Sequence, residues 1–238
     1  MPQQPIATSP YGLEYTATRR KSIYRYFPTK FVSSSVIYTE TFPLLLTHVA
    51  GHQCESLSQW DLLSACQAVA LYLLLWMRKR DHCSQFPCGN IALLFTLGRI
   101  TKLLQSRYLH LSPSTNVLRP VNDWAAWIFC ESCIRLASLY FVMNIVVSMD
   151  IGFSCDGPTD WRLQALPLPA SKVVWDADTE AAWLSAIGGH ANLNRRTLFG
   201  DLFDKKRVAD HRAGVWEDSV DELGLIVGMA GSLFTTMS

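Results

Sequence analysis

Residues 124–144 read WAAWIFCESCIRLASLYFVMN. Apolar side chains fall at Trp124, Trp127, Ile128, Ile134, Leu139, Phe141 and Met143, and continue with Val146 and Val147. At 3.6 residues per turn these positions surround most of the helix circumference. A helix that is apolar all round has no solvent side, so it belongs in the centre of a helical assembly. Asp123, a good N-cap residue, opens it, and the pattern runs to about Asp150. One pair interrupts the apolar surface. Glu131 and Arg135 stand four apart, in the order that favours an i,i+4 salt bridge. Leaving either charge buried alone is costly, so the pair reads as a structural bridge that holds the helix in register. No second carboxylate or histidine lies near them in the sequence to support acid–base work. Cys130 and Cys133 form a lone CxxC on the same helix. A redox motif needs a βαβ setting and a zinc ribbon needs a second CxxC, so these cysteines read as core.

The flanking sequence supplies more helices. Ser58, with Asp61 three residues on, is close to a capping box. Trp60, Leu63, Cys66, Val69, Leu73 and Met77 then recur at helical spacing, and the helix is expected to stop before Cys83. A second helix is expected from Asn90 to about Tyr108, with Ile91, Leu94, Phe95, Leu97, Ile100, Leu103 and Leu104 as its apolar stripe. Residues 178–188, 194–206 and 214–236 read as three further helices. Strands do not alternate with helices, which excludes a parallel sheet and points to an all-α, multi-helix globular fold. The expected organisation is a loosely ordered basic and aromatic segment over 1–38, then one helical domain over 39–238. A helical turn near Pro43–His48 and a loop over Gly152–Pro158 belong to the same reading.

Between the long helix and the next lies LPLPASKVVWDADTEAAW, residues 166–183. Pro167 and Pro169 lack the PxxP spacing of a polyproline ligand, and the leucines around Pro167 suit packing better than solvent. The stretch therefore reads as a rigid turn. Trp175 and Trp183 anchor it, and Asp176, Asp178 and Glu180 face water near a helix start.

Composition narrows the function. Of the 238 residues 49% are hydrophobic and only 17% charged, which implies a folded chain with apolar surface or a partner. A net charge of +1 gives no global attraction to nucleic acid. The basic triplets Arg19–Lys21, Arg78–Arg80 and Lys205–Arg207 are too short to change that. Seven cysteines at irregular spacing, with no apolar segment in the first ten residues, suggest free thiols in a reducing compartment. The apolar run Leu62–Met77 is shorter than the ~20 residues of a membrane span and contains Ser64 and Gln67, so a core helix explains it better.

Catalytic patterns are missing. There is no GxSxG elbow, P-loop or dinucleotide fingerprint, and Gly224, Gly228 and Gly231 lie on an apolar helix pattern that suits close packing. His48, His52, Cys54, His82, Cys83 and Cys88 have no matched metal-ligand spacing. The acidic groups Asp176/Asp178/Glu180 and Glu217/Asp218/Asp221/Glu222 do not form the DDxxD motif of terpene-type enzymes.

Several of these stretches, in order, resemble a known family. The pattern W–x2–W–I–x2–E–x3–R, carried by Trp124, Trp127, Ile128, Glu131 and Arg135, resembles a helix of the regulatory domain of fungal zinc-cluster transcription factors. Residues 166–183, with Pro167, Pro169, Trp175 and Trp183, resemble the segment that follows it there. LLSACQAVALYLLL (62–75), TLFGDLF (197–203) and WEDSVDELGLIVGMAGSL (216–233) resemble other helices of that domain, and TETFPLLLTHV (39–49) an opening segment. The resemblance implies a regulator of transcription in the nucleus, not an enzyme. It implies protein partners, as a homodimer or as a heterodimer with a zinc-cluster factor, or a small effector. The family's zinc cluster uses six cysteines near the amino terminus, whereas the first cysteine here is Cys54. The expectation is therefore no cofactor in this chain and only indirect contact with nucleic acid, with zinc only if a cluster precedes these residues. The alternatives are an all-α enzyme with an apolar pocket and a small membrane-associated protein.

Overall fold

The computed structural model describes residues 57–78, 87–109, 123–151, 166–189, 197–203 and 216–237. Several expectations lie outside these residues: the 1–38 segment, the turn at Pro43–His48, the loop at 152–158, and His48, His52, Cys54, His82 and Cys83.

Seven helices are described: α1 Gln59–Arg78, α2 Pro87–Tyr108, α3 Trp124–Ile151, α4 Lys172–Trp175, α5 Glu180–Gly189, α6 Phe199–Phe203 and α7 Glu222–Met237. The described residues contain no strand, only an isolated antiparallel bridge between Pro167 and Leu198, so the fold is all-α. The caps are local and legible. Ser58 Oγ accepts the Asp61 N–H at 3.3 Å and donates to Asp61 Oδ2 at 2.6 Å. Asp123 Oδ2 accepts the Ala126 N–H at 2.8 Å at the head of α3. Each satisfies a backbone donor that the first turn leaves unpaired.

α3 is the axis of the bundle and touches α1, α2 and α7. By length and hydropathy α1 and α3 are both long and apolar enough to cross a membrane, but more than half of that stretch of α3 is enclosed by the rest of the chain. Leu62, Leu73, Leu94, Leu97, Ile100, Leu104, Ile134 and Met143 are all but inaccessible to solvent and share one core. Trp60 and Tyr108 set their rings edge-on against Phe129, with centroids 5.1 and 5.4 Å away, which joins α1 and α2 to α3. α2 approaches α3 closely at Gly98, where a Cβ would stand 2.9 Å from the Tyr140 hydroxyl.

Five expectations need correction. Within the helix expected over 194–206, Thr197 and Leu198 are not helical: Leu198 bridges to Pro167 and α6 starts at Phe199. Phe95 is 47% exposed, while Leu93 is buried. The inward row of α2 is Leu93, Leu97, Ile100 and Leu104, spaced four, three and four, and Phe95 lies off it. α2 begins at Pro87 and not at Asn90; proline suits the first turn because its missing N–H has no partner there. The residues from Asp176 to Thr179 are not helical; α5 begins at Glu180 behind Thr179, whose Oγ1 accepts the Ala182 N–H at 3.2 Å, and a separate turn, α4, precedes it. The expected helix over 214–236 is broken. A turn at Trp216–Ser219, in which the Ser219 hydroxyl donates to the Trp216 carbonyl at 3.0 Å, precedes α7. Asp221 starts α7 afresh by accepting the Gly224 N–H at 3.2 Å.

The reassigned face of α2 has a direct check. Leu97→Ala is expected to cost about 2–5 kcal/mol, as a buried large-to-small change, and Phe95→Ala less than about 1 kcal/mol. Equal losses in urea titrations would contradict the orientation of the helix.

Candidate functional site

Six of the eight residues singled out in the sequence, Trp124, Trp127, Glu131, Arg135, Trp175 and Trp183, gather where the amino-terminal half of α3 receives the 166–183 segment, while Pro167 pairs with Leu198 and the Pro169 carbonyl with Trp216. Two chemistries are layered there.

The first is aromatic. Trp127 is buried and lies 5.6 Å from Trp183 and 6.4 Å from Trp175, centroid to centroid, with tilted rings. Trp124 and Ile128 of α3 and Ile187 of α5 pack around them. The tryptophans thus clamp α4 and α5 onto α3. Asp176, Asp178 and Glu180 stay exposed. Trp183 Nε1 and the Ser171 hydroxyl are buried without a hydrogen-bond partner, which costs about 1–3 kcal/mol each. Ring packing therefore has to outweigh imperfect polar satisfaction.

The second is ionic, and here the sequence reading was incomplete. Glu131 is fully buried and bonds beyond its own helix. Its Oε1 accepts the Ala170 N–H at 2.7 Å. Arg135 Nη1 stands 3.7 Å from the same oxygen, an ion-pair contact and not a hydrogen bond. Arg135 also donates from Nη2 to Asp221 Oδ2, across 86 residues of sequence. Its guanidinium carbon also lies 4.3 Å from the centre of the Trp175 ring, a cation–π contact. The second carboxylate that no neighbouring residue supplied arrives from the start of α7. Asp221 uses both oxygens: Oδ1 caps α7 and Oδ2 holds Arg135.

The Leu166–Ala170 stretch is wholly buried, as the packing of its leucines requires. An irregular buried segment must still place its backbone polar groups. Prolines at 167 and 169 remove two donors outright. The Leu168 N–H donates to the Thr197 carbonyl at 2.8 Å, and the Leu166 carbonyl accepts from the Phe199 N–H at 2.9 Å. The Pro169 carbonyl accepts from Trp216 Nε1 at 3.0 Å, and the Ala170 N–H reaches Glu131. Asp221, Trp216 and Thr197 were not legible as site residues. Asp221 resembled any exposed acid in an acidic run; its only local signal was its place three residues before a glycine at a helix start.

Two of the thiols, Cys66 and Cys133, are inert by position. Burial pushes the Cys66 thiol up to about 12, against which a contact with Thr101 Oγ1 at 3.6 Å weighs little. Burial also raises Cys133, with Cys130 and Cys66 adding to the effect. Neither is a ready thiolate at neutral pH. Among the described residues no three His, Cys, Asp or Glu side chains are grouped to hold a metal ion. The site joins helices through charge and rings and presents no nucleophile with an adjacent base. No family model, curated protein or solved structure matches this chain.

Two outcomes follow from this geometry. Arg135→Ala leaves Glu131 and Asp221 buried without their cation and is expected to cost about 3–5 kcal/mol, whereas Arg135→Ala with Asp221→Ala should cost less than the sum of the single changes. Strict additivity in chemical denaturation would deny the coupling. Cys66 keeps its proton in the folded chain where the unfolded chain, with a thiol near 9.0, loses it. Its contribution to stability is therefore constant below about pH 9 and falls as pH rises above it. At pH 8, peptide mapping after iodoacetamide treatment should find Cys66 and Cys133 unmodified in the native protein; rapid labelling would show that they are accessible.

Proposed function

We propose that this chain is a regulatory binding module of the fungal zinc-cluster transcription factor type. It works in the nucleus through protein partners or an effector and not through an enzymatic reaction. Partners are a second copy of the chain or a zinc-cluster factor, and nucleic acid is engaged only through them. No cofactor is assigned to this chain, and zinc enters only with a cluster that precedes these residues.

One observation carries the reading. The residues through which the sequence resembles that family join one segment of the chain to the long helix: Trp127, Glu131 and Arg135 on α3 hold the segment containing Pro167, Pro169, Trp175 and Trp183. A pattern distributed along a chain and converging in one buried joint is a fold signature and not a catalytic one. The joint contains no activated nucleophile, and its charges are consumed in tying helices together. Such a scaffold offers surfaces and rigid coupling between them, which suits binding.

Tethering tests it. The full chain, fused to a heterologous DNA-binding domain in a fungal cell, is expected to shift a reporter away from the level given by the DNA-binding domain alone. Arg135→Ala should return the reporter to that level, and Phe95→Ala should not. A reporter indifferent to the wild-type fusion would sink the proposal.

A further inference from the structure

The geometry points to a symmetric contact between two copies of this chain, made by the outward face of α7 with Met229 on the two-fold axis. Val227 and Ala230 turn α7 into the bundle, but the described residues leave the opposite side exposed. Leu225 is 53% exposed, Ile226 47%, Met229 68% and Leu233 46%. These are four of the ten large hydrophobic side chains that are exposed among the described residues, and they lie on one helix within nine positions.

The order of the side chains selects the occupant. Leu225, Met229 and Leu233 are spaced by four and form one ridge along the helix. The ridge reads the same in both directions: leucine, methionine, leucine. A two-fold contact demands this, because the same patch serves both sides and residue i meets j while j meets i. In an antiparallel pair Met229 meets its own copy, and Leu225 meets Leu233 of the other copy. Met229, the most exposed of the four, is also the most deformable, and so suits a crowded axis.

Charge gives the same answer. From Leu223 to Met237 the helix carries no Asp, Glu, Lys or Arg, and its one charge is Glu222 at the start. Antiparallel pairing sets the two Glu222 side chains at opposite ends and opposes the two helix dipoles favourably. A charged partner would find nothing to answer it. A lipid surface would meet none of the Lys and Arg that interfacial helices carry on their polar side. Burying the ridge does not strand the Ser232 hydroxyl, which already donates to the Gly228 carbonyl at 3.1 Å. Four such side chains from each copy bury on the order of 1,000 Å², the lower edge of specific association, so the dimer depends on concentration. This contact rests on the binding-module reading for its purpose and names the partner in it.

Sedimentation velocity of the full chain across roughly 1–100 µM, a range that brackets micromolar association, is the test. The wild type should shift from 26.8 kDa to twice that mass as concentration rises. Met229→Glu and Met229→Lys should each stay monomeric with an unchanged helical circular dichroism signal, and an equal mixture of the two should dimerise. Leu184→Glu, at an exposed position on α5, should behave as wild type. Met229→Cys, which keeps the face apolar, should give a covalent dimer on mild oxidation where the wild type does not. A wild type monomeric throughout, a Met229→Glu chain that associates as well as wild type, or a monomer that pellets with uncharged lipid vesicles would each overturn the contact. A monomer that still moves the reporter overturns this contact alone; a dimer that leaves the reporter unmoved overturns the regulatory reading instead.

Discussion

A guanidinium sits in the middle of an apolar helix, and the rest of the structure answers it. Arg135 is about one-eighth exposed and Glu131 not at all. Burying such groups costs several kcal/mol each unless opposite charge and hydrogen bonds are placed with care. The carboxylate four residues earlier pairs with it at 3.7 Å while also accepting the Ala170 N–H. Asp221 completes the set, and it can do so only if α7 starts beside α3. The requirement to neutralise one cation thus positions two chain segments that are far apart in sequence.

The Leu-Pro-Leu-Pro segment solves a related problem. Irregular chain rarely lies buried, since each residue carries a donor and an acceptor. Here proline deletes donors, and Thr197, Phe199, Trp216 and Glu131 take up four of the remaining groups. The segment then closes the bundle between α3 and the turn before α7, where the Lys172 N–H reaches the Ser219 carbonyl at 2.8 Å. Tryptophan rings seal one side of α3 near its start, while Phe141 against Phe199 joins α6 further along, at 5.5 Å between centroids. Charge sets the register of these parts, and ring contacts pack them together.

This arrangement links the joint to the outer surface. Asp221 is both the cap of α7 and the partner of Arg135, so the orientation of the outward ridge of α7 depends on the same ion pair that holds α3. An event that disturbed the joint would be felt at that ridge, about two turns away along one rigid helix. Under the proposed reading as a binding module, this is a physical route between the interior and the proposed contact face without any chemical step.

Much of this was written locally. The all-α fold, the apolar girth of α3, the caps at Ser58 and Asp123, and the anchoring role of Trp127, Trp175 and Trp183 follow from spacing and residue type, because helix periodicity and capping involve neighbours within four residues. The resemblance of the Glu131–Arg135 helix and the Leu-Pro segment to one family was likewise readable. The further partners of that charge pair were not. Glu131 and Arg135 do pair at i,i+4 as their spacing implied, but Glu131 also accepts from Ala170 and Arg135 also donates to Asp221, 39 and 86 residues away. Phe95 looked inward until Leu93 took the buried row, and the turn at Trp216–Ser219 cut a helix that the apolar pattern would have run straight through. Local rules fix which segments coil. Which oxygen a buried cation finds depends on desolvation and on distances between segments, and those exist only once the helices have packed.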